Sequence, residues 1–446
     1  MSKGVRATSV RPPERADDER DVSEGPRPGP VALIGAAEPQ PVTPSAPTGL
    51  ERDFFRLVSS NLGVLALSLV ASIVINRGLS LEQRGDYALV STVAALVVLA
   101  TGLGLSNALT YVTVSASEPT RVAALITSVG LALGALASVT LIVRLLFFPH
   151  LDQVYRDYYW YIPVLAGMEI LYSFNRSYVL ARGDYKSYAQ VNVVLRVVYV
   201  VILLLVSWLR HLDMAQVLLS QLAGQGLLTV VLYARVPFAS ANWSGLDLRR
   251  LLGVGIRGFS ASFLGTTIKR SDVFFVQSFL GPQVLGLYSV ASLLYGLGDN
   301  IVGAAGLLIA NRAAAGAADL RRVVRTASVR LTLLIAAGLV VFALIGKPLL
   351  VLLYTGRFAG VYPILLMLGP ALLVSTFFSP YANAQAGKGY SINYVLIHVL
   401  ALVLGILSLR FLTPWLGVAG AALANLVINL TLGYGLYRQF QAESVH

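Results

Sequence analysis

The chain has 446 residues, 56% of them hydrophobic and 13% charged, with no cysteine and a formal net charge of +12. Soluble domains carry about 25% charged residues, which sets this chain apart from them, and the lack of cysteine excludes a disulfide framework, a thiolate metal site and a cysteine nucleophile. A basic surplus can serve nucleic-acid binding, so where the charge sits along the chain decides its meaning.

The first fifty residues hold nine of the nineteen prolines, six Lys/Arg and seven Asp/Glu, with few residues fit for a core. Such a stretch buries too little apolar surface to offset its ordering entropy. It is expected to be a disordered cytoplasmic tail, and it lacks the basic start, apolar core and cleavage site of a signal peptide. From residue 54 onward the sequence is a succession of apolar runs, each near the ~20 residues needed to cross a bilayer. Twelve spans are expected, near 54–76, 86–113, 121–148, 157–181, 187–209, 213–235, 251–280, 285–311, 323–346, 361–385, 391–411 and 414–438. The connections are short, which leaves no room for a sizeable extramembrane domain.

If the N-terminus is cytoplasmic, the cytoplasmic connections hold fifteen Lys/Arg, among them Arg312, Arg321, Arg322, Arg325 and Arg330, against eight on the other side. An excess of Lys/Arg marks the cytoplasmic side. Both termini are therefore expected inside the cell, and the basic surplus sets topology rather than binding nucleic acid.

The first hairpin reads "LSLEQRGDYALVSTV" (79–93) and the hairpin between spans seven and eight reads "LGPQVLGLYSVASLL" (280–294). At an offset of 201, Leu79, Gly85 and Tyr87 fall on Leu280, Gly286 and Tyr288. A second echo joins "ARGDYKSY" (181–188) to "AGKGYSIN" (386–393). Two matches in register with a six-helix period point to an internal (or inverted) six-plus-six repeat, as in transporters that bind substrate between their halves. The expected division is 51–240 for an N-terminal six-helix bundle and 241–446 for a C-terminal one.

The run from Asp272 through Phe279-Leu280-Gly281, Gly286, Tyr288-Ser289 and Ala291 resembles the polysaccharide-exporter branch of the multidrug/oligosaccharidyl-lipid/polysaccharide exporter superfamily. "NRGLSLEQRGDYALV" (76–90) is similar to the first hairpin of that branch, and the resemblance covers about residues 54–440. It implies an all-α polytopic membrane protein with two six-helix bundles forming a V around a central cavity. It further implies a flippase for undecaprenyl-pyrophosphate-linked oligosaccharide, working by alternating access in the bacterial inner membrane. The implied partners are that lipid-linked substrate, membrane lipids, a polysaccharide polymerase and glycosyltransferases. The chain is expected to act as a monomer. Twelve spans disfavour the lipid II flippase branch, which usually has fourteen.

Charges inside the spans locate the candidate site, because each costs roughly 2.5–3.5 kcal/mol at a bilayer centre and normally faces a bundle interior or a wet cavity. The embedded cations are Arg176, Arg196, Arg257, Lys269 and Arg270, and the acids are Glu169, Asp272 and Asp299. Residues three, four and seven apart share a helix face. Glu169, Tyr172, Ser173 and Arg176 thus form one polar stripe, and Ser262, Thr266, Lys269 and Asp272 form another, while Asn300 follows Asp299. Arg270 lies about 100° round the helix from Lys269. One reading pairs Lys269 with Asp272 and Glu169 with Arg176 as helix locks. The other makes the cations a substrate lining, since five cations against three acids leave a positive cavity suited to pyrophosphate. Arginine's fork fits phosphate oxygens in pairs. The three acids are also the positions able to take a coupling H⁺ or Na⁺. No cofactor is expected, nor a metal site.

"GVGIRG" (253–258) matches a dinucleotide fingerprint but opens a membrane span instead of following a strand. Its glycines, like Gly130 and Gly134, are expected to permit close helix packing. His398 is expected to be a buried histidine bonded to a neighbouring helix. The closest rival function is a multidrug exporter of the same superfamily, which would carry more acid than base in its cavity. A membrane polysaccharide polymerase, the enzyme alternative, would need larger outer loops. A non-catalytic scaffold would not need a net-positive buried seam.

Overall fold

Gly281 takes φ +82°, a backbone that glycine adopts freely and other residues rarely do. With Pro282 after it, it bends one continuous helical stretch into the seventh and eighth spans. That bend organises the C-terminal half of the computed structural model, which describes residues 47–102, 129–136, 138, 157–158, 160–181, 185–233, 245–314, 316–388 and 391–443. The helices are α1 (Pro47–Gly78), α2 (Leu81–Gly102), α3 (Tyr161–Ala181), α4 (Tyr185–Leu209), α5 (Met214–Tyr233), α6 (Gly245–Ala314, kinked at Gly281), α7 (Leu320–Tyr354), α8 (Val361–Gly387), α9 (Ile392–Leu416) and α10 (Val418–Glu443). No strand occurs among the described residues. Nine described stretches are long and apolar enough to cross a membrane, and Ser262–Ala314, one of them, holds most of both spans that meet at Gly281. The chain has an all-α, multi-pass membrane fold.

Residues 1–46 of the expected tail lie outside the described residues, and Pro47 to Leu50 already belong to α1, with proline at the helix start where its missing N–H costs nothing. The third expected span is described only over 129–136 and 138. There the close packing expected of Gly130 and Gly134 is met. A methyl on Gly130 would collide with the Phe174 ring, and one on Gly134 would press on Ile170 at 3.2 Å.

Residues Leu50–His446 form one compact unit, and the two halves of the chain meet chiefly where α2 packs along α6. A Cβ on Gly85 would strike the carbonyl of Pro282, and a Cβ on Gly286 would strike the carbonyl of Leu81. Position 85 plus 201 is 286, and 81 plus 201 is 282, so the two contacts exchange under the repeat offset. The two halves therefore meet through a pair of contacts that the repeat offset relates to each other. The seam is closed further by Arg77 of α1, which donates through Nε to Leu353 O at 2.9 Å and through Nη2 to Leu352 O at 2.7 Å. Arg357 donates to Arg77 O at 3.0 Å. Behind the seam, Leu89, Leu285, Tyr288, Val290, Tyr354 and Phe358 are almost fully buried in one apolar cluster.

Candidate functional site

Helix α3 presents Glu169, Tyr172 and Arg176 on one face, as their three- and four-residue spacing requires. They line a cavity of about 310 Å³ with Asn192, Arg196 and Tyr199 of α4, Gln221 and Gln225 of α5, and Asn61 of α1. Gln225 Nε2 donates to Glu169 Oε2 at 2.6 Å, and the Tyr172 hydroxyl donates to Asn192 Oδ1 at 2.9 Å. The guanidinium of Arg196 stands 5.8 Å from the Tyr199 ring centre, an attractive cation–π arrangement. Arg176 and Arg196 both act electrostatically on Glu169, so two cations surround one acid.

Lys269 and Asp272 do not form the expected i,i+3 pair. Lys269, an exposed side chain, forms an ion pair with Asp299, whose other oxygen meets Ser375 Oγ at 3.5 Å. Asp272 is 5% exposed. Its Oδ2 accepts from the Tyr288 hydroxyl at 2.6 Å and from Asn425 Nδ2 at 3.0 Å, and its Oδ1 accepts from Val273 N at 2.9 Å. Three donors converge on this carboxylate, which explains why a lysine one turn away was not needed as its partner. The sequence spacing was right for contact, but α10 and the eighth span brought better-placed donors.

The expected residues thus fall into three groups. Glu169, Tyr172, Arg176 and Arg196 meet in the cavity. Lys269 and Asp299 form a separate pair, and Asp272 sits in a donor network with Tyr288 and Asn425. Ser173 and Thr266 are half-buried, Asn300 is exposed, and none of the three lines the cavity. Arg270 is exposed and acts electrostatically on Asp272 and on Arg84. The side chain of Arg257 lies outside the described residues. His398 is buried, but Nδ1 contacts Tyr394 O of its own helix at 2.8 Å and the ring stacks on Tyr394 at 4.3 Å, so its partner is not on a neighbouring helix. Among the described residues no three metal-ligating side chains cluster.

Arg84 falls between the first two expected spans (54–76 and 86–113) but lies inside α2 and is only 6% exposed. Its Nε donates to Asn76 Oδ1 at 2.8 Å, and its guanidinium stands 5.2 Å from the Tyr87 ring centre. Asn76 in turn donates to Ser72 Oγ at 3.0 Å. The repeat carried the signal that would have found it. Arg84 plus 201 is Leu285, so the register assigns this arginine a core position.

The family model described as "Polysaccharide biosynthesis protein" matches residues 50–310. No curated protein sequence matches the chain significantly. Among solved structures, a lipid II flippase MurJ in an inward closed conformation superposes with a TM-score of 0.72 at 12% identity, covering 86% of this chain and 87% of that one. Two structures of a multidrug resistance MATE family transporter of the MOP superfamily, inward-facing and outward-facing, each give 0.65. Their identities are 15% and 14%, over 88% of this chain and 99% and 95% of theirs. At such identities the likeness is one of fold.

Proposed function

Because the chain belongs to the polysaccharide biosynthesis protein family, we propose that it is a flippase. Its cargo is undecaprenyl-pyrophosphate-linked oligosaccharide, moved across the bacterial inner membrane by alternating access for cell-surface polysaccharide synthesis. The cavity between α3, α4 and α5 carries this reading: Arg176 and Arg196 face one carboxylate, Glu169, which leaves the lining net positive. Such a lining suits a pyrophosphate, because charge-assisted bonds from a planar guanidinium to phosphate oxygens are strong and directional. A multidrug exporter for cationic compounds would gain from the opposite balance. The fifteen-to-eight Lys/Arg bias supports both termini on the cytoplasmic side, which puts the glycine seam at the outer end. A polymerase and glycosyltransferases would then consume and supply the cargo, with the protein acting as a monomer and without a cofactor. Coupling to H⁺ or Na⁺ is assigned to Glu169, since the donors around Asp272 occupy that carboxylate.

Arg176→Ala and Arg196→Ala are each expected to reduce surface glycan about tenfold or more while protein abundance is unchanged, one lost charge-assisted bond being worth roughly 1.5–3 kcal/mol. The measurement is cell-surface polysaccharide alongside membrane protein level. Wild-type glycan in the double substitution would sink the reading.

A further inference from the structure

A charged group left buried without a counter-charge costs several kcal/mol, and Arg84 is such a group in this structure. The ionisable groups that act on it most strongly are Tyr87, Tyr354, Tyr199 and Arg270, and none of these is a carboxylate. Its hydrogen bond among the described residues is the one from Nε to Asn76, so the two Nη groups have no protein acceptor. The other half of the chain fills the equivalent position with Leu285, which is fully buried. A leucine packs well there, so the fold itself does not require an arginine.

The surroundings show what the charge faces. Tyr87, whose ring lies beside the guanidinium, donates its hydroxyl to Gln221 Oε1 at 3.3 Å, and Gln221 lines the cavity. Tyr199, which lines the same cavity, carries Arg196 beside its ring. Two tyrosines thus separate Arg84 from Arg196. Arg176 and Arg196 line the cavity, whereas Arg84 directly precedes Gly85, which is itself part of the seam.

We propose that Arg84, with Arg270 contributed by the other half, is a second phosphate station that receives the pyrophosphate of the substrate from Arg176 and Arg196. Asn76 holds the guanidinium through Nε, which leaves the Nη edge available for two parallel bonds to phosphate oxygens. Parting of the seam at Gly85 exposes this edge. The station rests on the flippase reading, and it adds a binding position at the gate.

The test uses the full chain purified in a neutral detergent and titrated with sodium pyrophosphate against sodium chloride of equal ionic strength, followed by thermal unfolding. Ligand that binds the folded protein raises its unfolding temperature in proportion to occupancy. Wild type should be stabilised by pyrophosphate, and Arg84→Gln should bind it about tenfold more weakly, as expected for loss of a charge-assisted bond of at least ~1.4 kcal/mol. If Arg84→Gln does not accumulate, Arg84→Lys serves, and it should also bind more weakly because lysine lacks the fork. Unchanged affinity in whichever variant accumulates overturns the station while leaving the flippase reading standing. So does stabilisation by phosphatidylglycerol in place of pyrophosphate, which would assign Arg84 to a bilayer headgroup. A wild type indifferent to pyrophosphate also overturns it, and the fate of the flippase reading is then decided separately by glycan export in the Arg176 and Arg196 variants.

Discussion

Asp272 and Glu169 are carboxylates on helices of similar apolar character, and their neighbours give them different roles. Asp272 accepts three hydrogen bonds from Tyr288, Asn425 and Val273 N, so it ties the seventh and eighth spans to α10. Glu169 accepts from Gln225 and borders open space with two arginines nearby. Asp272→Asn turns an amide donor toward two existing donors, and bonds of this kind inside membranes average about 0.6 kcal/mol and reach ~1.7. It should lower the thermal unfolding temperature in detergent, whereas Glu169→Gln should leave that temperature near wild type and make export insensitive to collapse of the proton and sodium gradients. A reversed pattern in the two measurements would exchange the roles. Spacing alone could not separate these acids, because the side-chain donors of Asp272 come from residues 16 and 153 positions away.

At the level of helices, the seam between α2 and α6 depends on glycine having no side chain. Both Gly85 and Gly286 lie against a backbone carbonyl of the opposite helix, and a carbonyl cannot swing aside as a side chain can. Gly85→Ala and Gly286→Ala should therefore each cost about 1–3 kcal/mol through overpacking. Because the contact is reciprocal, the two costs should be similar. Gly265→Ala, on the same helix as Gly286 but with nothing within 4 Å, should be neutral or stabilise by about 0.5–1 kcal/mol. Unfolding temperatures of the three variants check this, and a uniform response would remove the packing explanation. The helices were legible from their length and apolarity, and the repeat was legible from its glycine-tyrosine turns. The burial of Arg84 was not, since a charged residue three positions into a helix reads as a solvated start until its repeat partner, Leu285, is considered.

For the whole molecule, the even number of spans expected in each half keeps both halves in the same orientation, consistent with the exchange of contacts between Leu81–Gly286 and Gly85–Pro282. A phosphatase reporter that is active only outside the cytoplasm, fused after residue 446, should be inactive, and one inserted between Gly356 and Gly360 should be active. Activity at the C-terminal fusion would invert the assignment of the seam to the outer face. Among the described residues, the apolar stretches able to cross could be read from hydropathy because the bilayer fixes helix length. Which residues meet across the seam could not, since that depends on packing between segments about 200 positions apart.

A contact that maps onto itself under a two-fold axis is what two identical subunits make when they dimerise. In a true homodimer, Arg84 would be matched across the axis by a second Arg84, and two buried like charges would repel. One continuous chain removes that constraint, because each side of the axis can diverge on its own. Here one side has a leucine and the other a cation, so a self-matching interface is polar on one flank only.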